Sequence, residues 1–376
     1  MTPTRALTLF ATLSTLLLAA CSQDEVRTQT LAPQFGETTP GTDAAEHMAA
    51  STGGVYLGGR WNDRPALIKF GRSGNIPWVK TLPGNASVSE VAASPGSAHV
   101  VYSLEGADGS RSFFVRSYSQ TGGTLWTRGL ASGVEASNTN ATAATDKNGN
   151  LYLATSFGSV ESGQAELRKY RSDGTLVWRK RGAAYIYDLD ASANGFVHTV
   201  AYISDAQVLT RYKPDGGLLW RAPVPYDLET QAVAVGREGE IYVASNDERY
   251  PHQLFTTLAK YDSRGTRVWE RAVQDSIGLH LDGMDADSQG NAFLALTHPD
   301  FGEDQPNRSK EFYAYSPGGK RLLYRAFDFG SEQTLVGPAA LAPTEVYMAA
   351  SGVGAANRDG LLVRLDGLTG NVTWQR

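Results

Sequence analysis

Leu167-Arg168-Lys169-Tyr170-Arg171-Ser172-Asp173-Gly174-Thr175-Leu176-Val177-Trp178 decides the reading of this chain, because its essentials recur seven times. An aromatic residue is followed eight residues later by tryptophan in Phe70/Trp78, Tyr118/Trp126, Tyr170/Trp178, Tyr212/Trp220 and Tyr261/Trp269. The spacing is nine in Tyr315/Tyr324 and Leu365/Trp374. Each pair encloses a glycine turn, such as Gly122-Gly123, Asp173-Gly174 or Arg264-Gly265. Glycine reaches positive φ without steric cost, so two short apolar runs around such a turn read as a β-hairpin. One hairpin is repeated along the chain.

Working outward from the third copy, turn residues split its unit into four strands. Residues 141–145 make strand A, 146–149 a turn, and 150–155 strand B. A variable loop over 157–166 precedes strand C (167–170) and strand D (176–179). The A–B turn recurs at 193–195, 237–239 and 288–290, and strand B at 241–243, 292–294 and 346–348. No useful length of helical periodicity appears after the N-terminal segment. Seven four-stranded units at a period of roughly 42–55 residues predict an all-β fold, a seven-bladed β-propeller of four-stranded antiparallel blades. The first unit opens with strand A and the last closes with strand D at Trp374. No strand is shared across the ring, so closure is expected from blade-to-blade packing. The tryptophans are expected to fill the gaps between blades near the rim, each burying about 150–250 Å². Lys69, Lys169, Arg211, Lys260 and Arg364 stand one residue before the repeat position. Their stems are expected to pack while their charged heads reach solvent at the rim.

Composition agrees with this architecture. Glycine supplies 40 of 376 residues, above the usual ~7 %, as a turn-rich fold requires. Charged residues make up 19 % and the formal net charge is −5, which argues against disorder and against nucleic-acid binding. The single cysteine, Cys21, excludes an intramolecular disulfide and any cage of several cysteines. It follows a short segment containing Arg5 and an apolar run over 6–20, too short to cross ~30 Å of hydrocarbon comfortably. Leu18 spoils a small-x-small cleavage site ending at Ala20.

Leu18-Ala19-Ala20-Cys21 resembles the lipobox of bacterial lipoprotein precursors. The resemblance implies a signal peptide over 1–20 and a lipid on Cys21, hence a membrane-anchored protein of the cell envelope. Ser22, rather than aspartate, follows the cysteine, which in the sorting logic of Gram-negative lipoproteins leans toward the outer membrane. Residues 21–43 read as a flexible tether with a reach on the order of 25 Å, although a segment around Thr30-Leu31 is able to add an edge strand. Residues 44–376 form the propeller. Removing 1–20 takes Arg5 away and makes an acidic body slightly more acidic, so the lipid rather than charge is expected to hold it.

The segment 365–374, Leu-Asp-Gly-Leu-Thr-Gly-Asn-Val-Thr-Trp, looks like the repeat of PQQ-like propellers. Units such as 258–269 look closer to the bacterial SBBP repeat. These resemblances cover the propeller and specify a fold rather than an activity. In general plan the chain is also similar to the propeller lipoprotein of outer-membrane protein assembly, a family that usually has eight blades where seven are counted here.

In an up-and-down blade the A–B and C–D turns lie on one face and the B–C loops and D–A connections on the other. The first set is short and repetitive, the second long and varied, and loops on a rigid scaffold carry binding. The variable face is therefore the candidate site. It is expected to present Arg60, Trp61, Asp63 and Arg64, then Glu248, Arg249, Tyr250 and His252, then Asp300, Phe301 and Arg358. The D–A connections add Tyr187, Asp188, Tyr226, Asp227, His280 and Asp282. Aromatics mixed with arginines suit a protein partner, with a glycan or another surface ligand as the alternative. No zinc-protease, nucleophile-elbow or P-loop motif occurs. Asp285-Ala286-Asp287-Ser288-Gln289-Gly290 begins like a calcium loop, but Leu296 stands where its glutamate belongs, so it reads as an A–B turn. The PQQ-like resemblance raises a quinoprotein dehydrogenase as a third class, without the vicinal cysteines of those enzymes. We expect a monomeric, non-enzymatic binding or scaffold protein with no cofactor and no metal.

Overall fold

The computed structural model describes residues 28–30, 44–134, 139–183, 185–224, 231–236, 238–250, 253–273, 280–297, 310–328, 334–351 and 360–376. They form seven antiparallel meanders of four strands, each in sequence order, arranged as a seven-bladed β-propeller. Blade three is typical: strand A Thr139–Thr145, B Leu151–Phe157, C Gln164–Tyr170 and D Leu176–Ala183. No helix occurs among the described residues. The innermost strands are Ala44–Ser51, Ala86–Ala93, Thr139–Thr145, Tyr185–Ala191, Gln231–Val235, His280–Ala286 and Thr334–Ala342. They neighbour one another in ring order, including the seventh against the first.

The core lies between blades rather than within them. One cluster joins Tyr152 and Leu167 of blade three to Leu189 and Val197 of blade four. Another joins Tyr347 and Leu362 of blade seven to Val55 and Phe70 of blade one. Both faces of a middle strand are buried, so strands such as Glu345–Ser351 read as continuous apolar runs. The ring closes by this packing, with blades one and seven each complete in its own sequence. One strand departs from the four-stranded plan. Thr28–Thr30 pairs in parallel with Ala326–Asp328 on the outer edge of blade six, so that part of the tether region is an edge strand.

The repeated hairpin is explained by its joints. In the C–D turn of blade three, Gly174 N–H donates to the Arg171 carbonyl at 2.8 Å and Arg171 N–H to the Thr175 carbonyl at 2.9 Å. Gly174 holds φ = +81°, and the ladder shifts register between Lys169 and Tyr170. This is a tight turn closed by a left-handed glycine and a bulge. It sets Trp178 opposite Lys169. Trp178 Nε1 and Lys169 Nζ then donate to one oxygen, the Pro214 carbonyl in the next blade's C–D turn, at 3.1 and 3.0 Å. The same double clamp joins Trp78 and Lys69 to Gln120, Trp220 and Arg211 to Ser263, and Trp269 and Lys260 to Pro317. Trp374 and Arg364 close the ring on the Arg72 carbonyl. The basic heads therefore bind the neighbouring blade, where rim solvent was expected. An unpaired carbonyl buried in these joints is costly, and the clamp satisfies it.

Blade six corrects the sequence spacing. Its turn has the same hydrogen bonds as the others, so Leu323, not Tyr324, stands opposite Ala314 in the tryptophan position. Leu323 packs toward blade seven, whereas Tyr324 packs toward blade five and donates to Glu311 at 3.1 Å. Successive strand residues face opposite sides, so a spacing of nine without a longer turn flips the ring to the other gap. Blade seven keeps its tryptophan because its turn is longer, with Gly370 N–H bonded to the Asp366 carbonyl. At the joint without an indole, Arg325 Nη2 donates to the Thr369 carbonyl at 2.9 Å.

Candidate functional site

Strand A of each blade runs from the variable face toward the face of the A–B and C–D turns, and the seven inner strands enclose a channel. Near the variable face, Glu46, His47, Glu90, Tyr187, Asp188 and Asp282 line a cavity of about 330 Å³. Deeper, Glu90, Asp188, Asp190 and Asp285 line a second cavity of about 290 Å³. Met48, Glu90, Asp188, Met284 and Pro338 belong to both, so the two are one channel.

Local irregularity aims these side chains. The A–B ladder shifts register between Ala45 and His47, Val88 and Glu90, Ile186 and Asp188, Leu281 and Gly283, and Val336 and Ala339. A bulge sets two residues against one and turns their side chains from the regular pleat. The additional residue is Glu46 in blade one, Tyr187 in blade four and Asp282 in blade six. Close backbone approach accompanies it: Gly283 and Gly337 sit so near that a Cβ on Gly337 would lie 2.6 Å from the Gly283 Cα.

Several carboxylates also fasten the wall. Asp188 accepts from Thr142 Oγ1 at 2.7 Å, from its neighbour Leu189 N–H at 2.8 Å and from Val233 N–H at 2.9 Å, joining blades three, four and five. Asp190 accepts from Val235 N–H at 2.7 Å, and Asp285 from Ala340 N–H at 2.8 Å in blade seven. Burial nevertheless dominates their protonation. It pushes Asp188 up to about 6, Asp282 and Asp285 to about 7, and Glu90 to about 8. Asp190 lies well above the usual carboxylate range, through burial and then the nearby Asp285 charge. His47, 3.8 Å from Glu90, is pushed down to about 4 by burial. Thr297 Oγ1 donates to Asp282 at 2.6 Å and in turn accepts from Lys310 Nζ at 3.0 Å. Among the described residues no three histidine or carboxylate groups are arranged to hold a metal ion.

Of the residues expected from sequence, Tyr187, Asp188 and Asp282 converge at this mouth. The rings of Tyr185 and Tyr187 lie 5.3 Å apart. His280 is exposed at the start of strand A in blade six. Arg60 is exposed and its charge reaches Glu46, lowering that carboxyl against the larger raising effect of burial. Asp63 and Arg64 are exposed, but Trp61 is half-buried against the cluster between blades seven and one. Their B–C connection is not a long loop. Asn62 and Asp63 hold φ of 50° and 62° in a two-residue hairpin, and Ser204-Asp205 repeats it in blade four. Glu248, Arg249 and Tyr250 belong to strand Ile241–Tyr250, which extends beyond the expected loop boundary. Cys21, Tyr226, Asp227, His252, Asp300, Phe301 and Arg358 lie outside the described residues. The 285–290 segment is the A–B turn expected, with Asp287 accepting from Gln289 and Asn291 N–H.

Glu46, His47, Glu90, Asp190 and Asp285 were missed by sequence reasoning. A signal for the last two was present: Asp188 and Asp190 alternate on a strand that the repeat makes interior, and Asp282 and Asp285 share the corresponding strand of blade six.

No protein-family model matches the chain, and no curated protein matches it. Among solved structures it is similar to the β-propeller domain of the Trilobed protease from Pyrococcus furiosus, described as having an open velcro topology. That match has a TM-score of 0.51 and 11 % identity over 78 % of this chain and 84 % of that one. It is similar to streptogramin B lyase, with a TM-score of 0.52 and 12 % identity over 84 % and 92 % of the two chains. A prolyl endopeptidase gives 0.55 and 14 % over 89 % of this chain and 50 % of that one. At these identities the likeness is one of fold alone. The chain is a seven-bladed β-propeller, and the resemblance of its repeat to PQQ-like and SBBP types rests on the sequence motifs.

Proposed function

We propose that this chain is a lipid-anchored protein of the bacterial cell envelope whose variable face docks a protein partner, with a basic segment of that partner entering the channel mouth. The observation that carries the reading is the convergence of Tyr187, Asp188 and Asp282 with Glu46 and Glu90 around one opening. An acidic, aromatic-edged opening on a rigid ring complements a lysine or arginine side chain, because a cation entering it favours ionisation of the carboxyls that burial holds up and then pairs with the carboxylates formed. The C–D turns of the opposite face are short and alike, and their backbone carbonyls are engaged in the joints between blades, whereas the connections of the variable face differ from blade to blade. The lipid on Cys21 rests on the lipobox resemblance.

A photo-crosslinking residue placed at His280 or Arg64, both exposed, is expected to yield a discrete protein adduct in cells. The same probe at Asn148, exposed on the opposite face, serves as the control. Asp282→Asn with Glu46→Gln is expected to weaken the adduct. Equal labelling from both faces overturns the docking reading. Separately, Cys21→Ser is expected to abolish metabolic lipid labelling and to release the chain from membranes washed at high salt, and unchanged retention after that wash would sink the anchor.

A further inference from the structure

The chain is acidic overall, but its charge is unevenly placed. The C–D turns and outer strands of blades three to six, residues 171–181, 213–223, 262–272 and 316–328, carry twelve arginines and lysines against five carboxylates. Asp173, Asp215 and Asp262 accept from turn N–H groups and stay charged, Glu270 pairs with Arg267, and Arg181 pairs with Glu166 of strand C, so an excess of cations remains after these pairs are set aside. Arg171, Lys213, Arg264 and Lys320 are exposed at successive turns. This is a basic arc on an otherwise strongly acidic protein.

The same edge carries the exposed apolar residues. Among the described residues, large hydrophobic side chains left in solvent occur at the C–D turn or the start of strand D: Leu125, Val177, Leu219, Val268 and Leu322 in blades two to six, with Ile76 and Leu368 continuing the belt. Singly exposed apolar residues need no explanation, but a belt on one edge, interleaved with cations, marks a contact surface.

The third observation is where the tether meets the ring. Thr28–Thr30 lies on the outer strand of blade six, within the basic arc. The pairing is parallel, so from Thr28, opposite Ala326, to Thr30, opposite Asp328, the strand runs away from the C–D turn edge. Cys21 is seven residues earlier, a span of at most about 25 Å even when fully extended.

We propose that the outer wall of blades three to six, with its C–D turn edge, is a contact surface for an anionic lipid bilayer. The edge of blade six stands nearest the membrane, and the acidic channel mouth opens away from the C–D turn edge. The occupant is argued from charge complementarity, from the apolar side chains able to enter the headgroup region, and from the short chain between Cys21 and Thr28. The last argument rests on the lipid-anchor reading; the first two do not. Each exposed cation near an anionic surface adds to attraction within a Debye length, so the acidic average of the chain does not decide the outcome.

The test uses the chain beginning at Ser22, which lacks the acyl group and the apolar leader but keeps every described strand. Flotation with vesicles of phosphatidylethanolamine and phosphatidylglycerol, at low salt, is compared with neutral phosphatidylcholine vesicles. Binding to the anionic vesicles and release by salt are expected. Arg171→Glu, Lys213→Glu, Arg264→Glu and Lys320→Glu together are expected to lower partitioning more than about tenfold with the melting temperature kept. Val268→Ser with Leu322→Ser is expected to weaken binding without abolishing its salt response. Equal partitioning to both vesicles, indifference to charge reversal, or stronger retention on duplex DNA than on anionic vesicles overturns the proposal. Because no lipid is attached in this assay, its failure and that of the Cys21 anchor are separable.

Discussion

The rim joints and the channel wall both fasten blade to blade, but they do it with opposite chemistry. At the rim, an indole N–H and a cation from one blade converge on a backbone carbonyl of the next, as Trp178 and Lys169 do on Pro214. In the channel, carboxylates of one blade accept backbone N–H groups of the next, as Asp188 does from Val233. The rim device recurs at five of the seven joints; in blade two Trp126 and Arg128 reach separate carbonyls, of Ser172 and Gly174, and in blade six Arg325 acts without an indole. The channel device sits where bulges fall and differs from blade to blade. A repeated joint carries stability, because each copy adds the same interface, whereas an unrepeated acidic wall gives the molecule an individual surface.

The rim side of the contrast breaks most visibly at one indole. Trp178→Ala removes a large side chain from between blades three and four and leaves the Pro214 carbonyl to Lys169 alone. The expected loss is about 3–5 kcal/mol in denaturant unfolding, and a loss below about 1 kcal/mol would mean that the indole does not fasten the blades.

A smaller effect is expected at the glycine beneath an indole. Gly174 needs its positive φ, and a Cβ there would lie 2.7 Å from the Trp126 ring. Gly174→Ala should therefore cost on the order of 1–3 kcal/mol, whereas Gly109→Ala, also at positive φ but with open space around it, should cost less. Equal costs would show that backbone conformation alone, not the joint, sets the requirement.

The channel side is sharpened by pH. Carboxylates held up at about 6 to 8 keep protons in the folded chain that the unfolded chain has released, so folding loses stability as pH rises from about 4 toward 8. Burial pushes His99 and His198 down to about 3, so they act in the opposite sense, but below pH 6.5. Between pH 6.5 and 8 the carboxylates act without that opposition. The melting temperature should fall as pH rises across this interval, and Glu90→Gln, which keeps an acceptor for Val91 N–H, should flatten the slope. An unchanged slope in the variant would remove Glu90 from the titrating set.

His99 and His198 also show how far a sequence pattern carries. They occupy the strand B position held by Tyr56, Tyr152, Tyr242 and Tyr347 elsewhere, and each faces its own blade's tryptophan, at 5.5 Å for Trp126 and 6.5 Å for Trp220. The position is readable from the repeat, since all seven units are counted alike. Their role as neutral packing groups is set by burial, which no spacing reports.

The hairpin turns, the blade count and the four strands of each blade in its own sequence were legible, because a short-range pattern repeated seven times leaves little choice of architecture. Blade six was misread for the same reason that it matters. Tyr315/Tyr324 resembles the repeat in sequence, but a one-residue difference in a strand reverses the side of the sheet, and turn geometry alone settles which side is used. The candidate site was legible only in part. Tyr187, Asp188 and Asp282 could be placed on the variable face by topology, whereas Glu46, Glu90, Asp190 and Asp285 meet them only because seven inner strands close into a ring. Local sequence determines which hairpin forms and where it turns, through φ, side-chain alternation and glycine. Tertiary structure decides which distant strands share a channel, since that juxtaposition, and the burial that raises its carboxylates, exists only once all the blades have packed.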